Sequence, residues 1–194
     1  MFDTGTKIGP YPADRGLKPA DGSGMLGTLC PDLRPTRRMT MPLQPGDPAP
    51  SFALLDETGR MVDLADLRGR SVVLYFYPKD DTPGCTSEAC DFRDNMNRVT
   101  RQGGVVLGVS PDSAGSHQKF KQKYGLDFPL LVDADHAVAA AYGAWGEKKM
   151  YGKTREGIVR STFLIDPEGR IARAWYKVKV AGHVDEVLTA LKEL

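Results

Sequence analysis

Apolar residues in this chain fall into short dense runs separated by turn residues. Ser71–Tyr77 (S-V-V-L-Y-F-Y) and Gly104–Ser110 (G-V-V-L-G-V-S) are almost unbroken apolar runs. Runs of this length predict central strands covered on both faces. Pro78 closes the first, since proline has no N–H for the ladder. Ser51–Leu55 and Met61–Leu64 predict a hairpin across the turn residues Asp56–Gly59. Phe128–Val132 and Ser161–Asp166 predict two more strands, and Ile171–Tyr176 pairs with the latter across Pro167–Arg170. Helices are predicted from Thr82 to about Arg101, over Ser113–Tyr124, over Asp135–Tyr142 and, as an amphipathic closing element, over Val184–Leu194. Thr82 suits an N-cap and Pro83 the first helical position. Gly103-Gly104 ends that helix, and Gly125 the next. The order β-β-β-α-β-α-β-α-β-β-α predicts an α/β domain, a mixed sheet with helices on both faces.

Residues 1–40 differ. They hold six Gly and five Pro, no apolar periodicity and a basic end, Arg34-Pro35-Thr36-Arg37-Arg38. They are expected to be a disordered extension, with the folded domain over 41–194 and the translation start at Met39 or Met41 as an open reading. Met1–Ala20 is broken by Gly, Pro, Asp, Lys and Arg, so it lacks the apolar core of a signal peptide. No stretch approaches the roughly 18 apolar residues of a membrane span. A reducing, cytoplasmic location is the expectation. With 26 basic and 25 acidic residues, net charge is +1. Neither a nucleic acid nor a membrane is expected as a partner.

Chemistry enters with the cysteines Cys30, Cys85 and Cys90, too few for a disulfide scaffold or a four-thiolate metal site. The histidines (His117, His136, His183) are dispersed without metal spacing, and no phosphate or dinucleotide loop is present. Cys85 falls in the first turn of a helix that follows a buried strand, where open α/β sheets place their sites. The helix start offers free N–H groups and positive potential, which favour a thiolate. An ordinary thiol is about 3% ionised at pH 7, so full ionisation gains at most roughly 30-fold in rate, about 2 kcal/mol. A fast reaction at the sulfur needs more: groups that place the substrate and stabilise the charge on its leaving group. Thr82 can supply a hydroxyl, Pro78 can exclude water, and Arg160, entering the strand Ser161–Asp166, is the candidate cation. Glu88 either orients that arginine or favours the helix N-terminus.

The run Phe76-Tyr77-Pro78-Lys79-Asp80-Asp81-Thr82-Pro83-Gly84-Cys85-Thr86-Ser87-Glu88-Ala89-Cys90 resembles the peroxiredoxins, in the bacterioferritin-comigratory-protein or PrxQ branch. Leu43–Phe52 and Gly157–Asp166 extend the likeness over residues 41–194. The resemblance implies a thioredoxin-like fold and a thiol peroxidase serving antioxidant defence without metal, haem or flavin. It implies that Cys85 is oxidised to a sulfenic acid in a pocket framed by Pro78, Thr82 and Arg160. It further implies that Cys90 resolves this acid as a Cys85–Cys90 disulfide, that thioredoxin or a similar dithiol recycles it, and that the chain is a monomer. A peroxide sensor relaying oxidation to partner proteins is the alternative. A disulfide reductase fits less well, because the spacing is C-x-x-x-x-C, not C-x-x-C. Five helical residues rise about 7.5 Å and turn about 500°. Disulfide geometry needs Cα atoms within about 7 Å. The helix start is therefore expected to unwind when the bond forms. Cys30 is read as a bystander, and the basic segment Lys148–Arg155 as a solvated loop or a docking surface for the reductant.

Overall fold

The computed structural model describes residues 42–150 and 153–194. The glycine- and proline-rich stretch 1–40, with Cys30 and the arginine cluster, lies outside the described residues. The elements are β1 (Ala53–Leu55), β2 (Met61–Asp63), a 3-10 turn (Leu64–Leu67), β3 (Ser71–Phe76), α1 (Pro83–Arg101), β4 (Gly104–Ser110), α2 (Ala114–Tyr124), β5 (Leu130–Val132), α3 (Ala137–Ala141), β6 (Trp145–Met150), β7 (Lys153–Ile158), β8 (Ser161–Ile165), β9 (Ile171–Tyr176) and α4 (His183–Leu191). A five-stranded sheet runs β5-β4-β3-β8-β9, with β1-β2 and β6-β7 as separate two-stranded ribbons. β3 pairs parallel with β4, and β4 with β5; β3–β8 and β8–β9 are antiparallel. This is the mixed α/β sheet expected.

The two apolar runs are central because neither face of the sheet meets water. Side chains of β3 alternate: Val73 and Tyr75 enter one core, Val72, Leu74 and Phe76 the other. The first core is roofed by Ala89, Phe92 and Val99 of α1 and by Val184, Val187, Leu188 and Leu191 of α4, and Phe120 of α2 joins it. The second is covered by the β1-β2 ribbon, the 3-10 turn and Ala139 of α3.

Several boundaries move for local reasons. β5 starts at Leu130, not Phe128, because Pro129 cannot donate to the ladder. α3 starts at Ala137, where the Asp133 carboxylate takes the Val138 and Ala139 N–H groups. The largest difference lies at 145–158, where a hairpin pairs Trp145 with Ile158 and Met150 with Lys153 in place of the loop expected over 148–155. Its intervening sequence is mostly charged residues and glycine, with no alternating apolar face to signal a strand.

Tyr75 sets how closely β3 and β4 approach α1. Its ring stacks on Tyr77 and Phe92, with centroids 5.4 and 5.0 Å away. Across the ladder it pairs with Gly108, where an added Cβ would lie 2.8 Å from Tyr75 Oη and 2.8 Å from Leu130 Cδ2. Neither ring nor Leu130 can retreat, both being fully buried. Gly108→Ala is therefore expected to destabilise the fold by about 1–3 kcal/mol in urea unfolding. An unchanged midpoint would show that the ring has room to move.

Candidate active site

The site is assembled where β3 hands the chain to α1. Tyr77 N–H still donates to Val109 O, 3.1 Å, and Pro78 then ends the pairing. A tight turn follows, with Asp81 at φ 55°. Thr82, extended at φ −95° and ψ 149°, stands at the N-cap position, and Pro83 opens α1 as expected. The Thr82 hydroxyl does not cap the helix; it donates back to Lys79 O at 3.1 Å. Thr82 and Pro78 are both half-buried.

Cys85 lies in the first turn of α1, but deeper than its polar neighbours suggest, with 1% of its surface exposed. The helix explains this. Cys85, Glu88, Ala89 and Phe92 recur at three- and four-residue spacing and form the buried face, while Pro83 and Ser87 point outward.

Arg160 reaches this sulfur from the sheet. The antiparallel register pairs Phe76 with Ser161, which brings Arg160 level with Tyr77, at the exit of β3. Its Nη2 donates to Cys85 Sγ at 3.1 Å, and its Nη1 to Glu88 Oε2. Its backbone carbonyl accepts from Val178 N–H, 3.0 Å, so both ends are held. Burial works against the guanidinium charge, yet Glu88 and Cys85 hold its pKa above the ordinary value. Glu88 is fully buried, and its Oε1 has no hydrogen-bond partner. Of the two roles open to Glu88 in the sequence, it occupies the one beside the arginine.

The structure thus joins Cys85, Arg160 and Glu88, with Thr82 and Pro78 in the adjoining turn. It does not join Cys85 to Cys90. Both are free thiols on an intact α1, Cys90 half-buried five residues on. Two histidines are more deeply placed than the sequence suggests. His117 is fully buried against Asp80, and its spacing to Phe120 and Tyr124 on α2 was the available signal. His183 bonds Thr162 Oγ1 at 2.8 Å, and burial pushes it down to about 4, so its ring is neutral near neutral pH. Among the described residues no cluster of His, Cys, Asp or Glu is arranged to hold a metal ion, and no helix is long and apolar enough to cross a membrane.

Peroxiredoxin Bcp of Bacillus subtilis is 51% identical over 154 residues, covering 79% of this chain and 98% of the relative. Peroxiredoxin Bcp of Escherichia coli K12 is 47% identical over 152 residues, covering 78% and 97%. Residues 45–174 match the AhpC/TSA family. The chain belongs to the Bcp/PrxQ peroxiredoxins of that family. A solved Xanthomonas campestris bacterioferritin comigratory protein, described for its alkyl peroxide reduction activity, superposes with a TM-score of 0.70 at 48% identity, covering 73% of this chain and 90% of that one. The thioredoxin-like fold expected from the motif is the fold this peroxiredoxin has.

One electrostatic consequence is measurable. Burial pushes the Glu88 carboxyl up from 4.5 to about 7, with Arg160 opposing the rise. A carboxyl whose pKa is higher in the folded state binds more protons there, so its contribution is fully present below about 4.5 and is lost as pH rises through about 7. The whole difference is about 3 kcal/mol. Urea unfolding near pH ~5 and ~8 should show the wild-type peroxiredoxin losing about that much more stability than Glu88→Gln, whose amide does not titrate. Parallel pH profiles for the two proteins would contradict it.

Proposed function

We propose that this peroxiredoxin reduces hydrogen peroxide and organic hydroperoxides with Cys85 as the attacking thiolate. The observation that carries the reading is the Arg160 guanidinium 3.1 Å from Cys85 Sγ at the start of a helix. Both features favour negative charge on the sulfur. Sγ attacks one oxygen of the peroxide, and the O–O bond breaks. The other oxygen leaves as an alkoxide or hydroxide and takes up a proton to give alcohol or water. Cys85 becomes a sulfenic acid, oxidised by two electrons. In this reading the Arg160 N–H groups and the Thr82 hydroxyl orient the peroxide and stabilise charge on the departing oxygen. Pro78 shields the turn from water. The alkyl peroxide activity of the X. campestris relative supports extending the substrates to organic hydroperoxides.

Cys90 then attacks the Cys85 sulfenic acid, forming the Cys85–Cys90 disulfide and releasing water. A dithiol of the thioredoxin type reduces the bond by exchange, and the working unit is a monomer. Because the two cysteines are five residues apart on one helix, α1 must open between them. The strained, exposed disulfide that results is easily reduced.

Peroxide consumption coupled to thioredoxin tests the whole cycle. Cys85→Ser should abolish turnover. Cys90→Ser should consume one equivalent of peroxide and then stop. Arg160→Gln should slow the peroxide step by about 100-fold or more. Persistent turnover by Cys85→Ser would refute the assignment of the nucleophile. In the oxidised protein, amide hydrogen exchange should lose protection across residues 85–91; full protection there would rule out opening of α1.

A further inference from the structure

A second polar cluster lies beneath the turn that delivers Cys85, and the peroxide chemistry above makes no use of it. At its centre, His117 of α2 has no exposed surface, and Asp80 is nearly as deep. His117 Nδ1 lies 2.9 Å from Asp80 Oδ2, and Nε2 lies 3.2 Å from Leu131 O. Tyr77 Oη donates to Asp80 Oδ1 at 2.7 Å and Ser116 Oγ to Oδ2 at 2.6 Å. The Asp80 N–H donates in turn to Asp112 Oδ2 at 2.7 Å. Burial pushes the Asp80 carboxyl up, but the bonds from His117, Ser116 and Tyr77 outweigh it and keep the group below its ordinary value.

Both ring nitrogens are engaged: Nε2 by the Leu131 carbonyl, and Nδ1 by the Asp80 carboxylate, with Tyr77 Oη 3.4 Å away. A buried polar pair is seldom a good source of stability, because desolvation offsets the attraction; its established use is to select one arrangement over others. Here the arrangement selected is the turn Lys79–Thr82. Asp80 is tied inward to His117, and Asp81, held at positive φ, is tied outward to Lys123 Nζ at 2.8 Å and Tyr124 Oη at 2.5 Å. The next residue is Thr82, whose hydroxyl position depends on the Lys79 carbonyl of the same turn.

We propose that His117 is a positioning residue for peroxide reduction: through Asp80 it fixes the turn that carries the Thr82 hydroxyl, three residues before Cys85. The inference rests on Cys85 being the sulfur that meets peroxide. Misplacing a catalytic group by about 1 Å costs on the order of 100-fold in rate. The sulfur itself is contacted by Arg160 at the start of α1 and not by this turn, so its reactivity toward an alkylating agent should be largely spared.

The test uses the full chain with Cys30→Ser and Cys90→Ser, so that Cys85 is the sole thiol. Stopped-flow oxidation by hydrogen peroxide is compared with alkylation by iodoacetamide for this parent, His117→Gln, Asp80→Asn and the double variant. Each single variant should slow the peroxide step by about 10- to 100-fold while alkylation stays within about 3-fold. The double variant should be no slower than the worse single one, since both act on one contact. Should these variants fail to fold, Ser116→Ala removes a donor from Asp80 without stranding a charge, and should show the same split at about 3- to 10-fold. A parallel fall in both rates, or a peroxide rate within about 3-fold of the parent, would overturn the proposal. If the parent's Cys85 ignores peroxide, the functional reading itself fails; if the parent reacts and the variants do not show the split, the role given to His117 fails alone.

Discussion

A single guanidinium stands between a buried sulfur and a buried carboxylate, and the rest of the architecture serves to keep it there. Arg160 contacts Cys85 Sγ through one nitrogen and Glu88 through the other. Removing such a cation from water is costly unless its donors are met. The fold meets them from three directions. β8 carries Arg160 to the exit of β3 by antiparallel register, α1 carries both acceptors at i and i+3, and the residues beyond β9 pin its carbonyl through Val178. Because Glu88 lies under the helix and not on its surface, its end of the pair is buried, while Arg160 keeps an edge open to solvent.

The strands and helices that make this possible were legible where the signal is local. β4 and β9 begin and end where their apolar runs do, and Gly125 stops α2 in a left-handed conformation at φ 62°. The places of Thr82 and Cys85 at the start of α1 were legible because a strand, a turn and a helix cap follow one another in the sequence. The β6-β7 hairpin was not, since between Trp145 and Ile158 its paired residues are mostly charged or glycine, and hydrophobic periodicity carries no trace of it. The depth of Cys85 was obscured by the polar residues on either side of it in sequence, which point away from the core. His117 was obscured for a different reason: its partner Asp80 is 37 residues away, and a pair so distant is joined only by the packing of α2 against the end of β3.

In the cycle proposed above, α1 carries two demands that conflict. As a helix it holds Cys85 and Glu88 on one buried face; as a segment that opens it would bring Cys85 to Cys90. Contacts on either side bound that stretch. Before the helix, Asp81 is bonded to the Tyr124 hydroxyl; after Cys90, Arg93 donates to the Tyr124 carbonyl at 2.5 Å. The same residue at the end of α2 thus anchors the chain on both sides of the two thiols. The later part of α1 shares its core with α4 through Val99.

The root of the β6-β7 hairpin has a bearing on how such a protein can diverge. Ala144 O accepts from Val159 N–H at 2.7 Å, one residue before Arg160, while Ile158 is sunk in the core. The clasp closes the hairpin off as a loop whose two ends are already fixed. Lengthening or shortening its outer part changes closure entropy only logarithmically. The ribbon can therefore drift in span and charge from one lineage to another, acquiring new contacts with the outside, while the guanidinium just behind the clasp keeps its place.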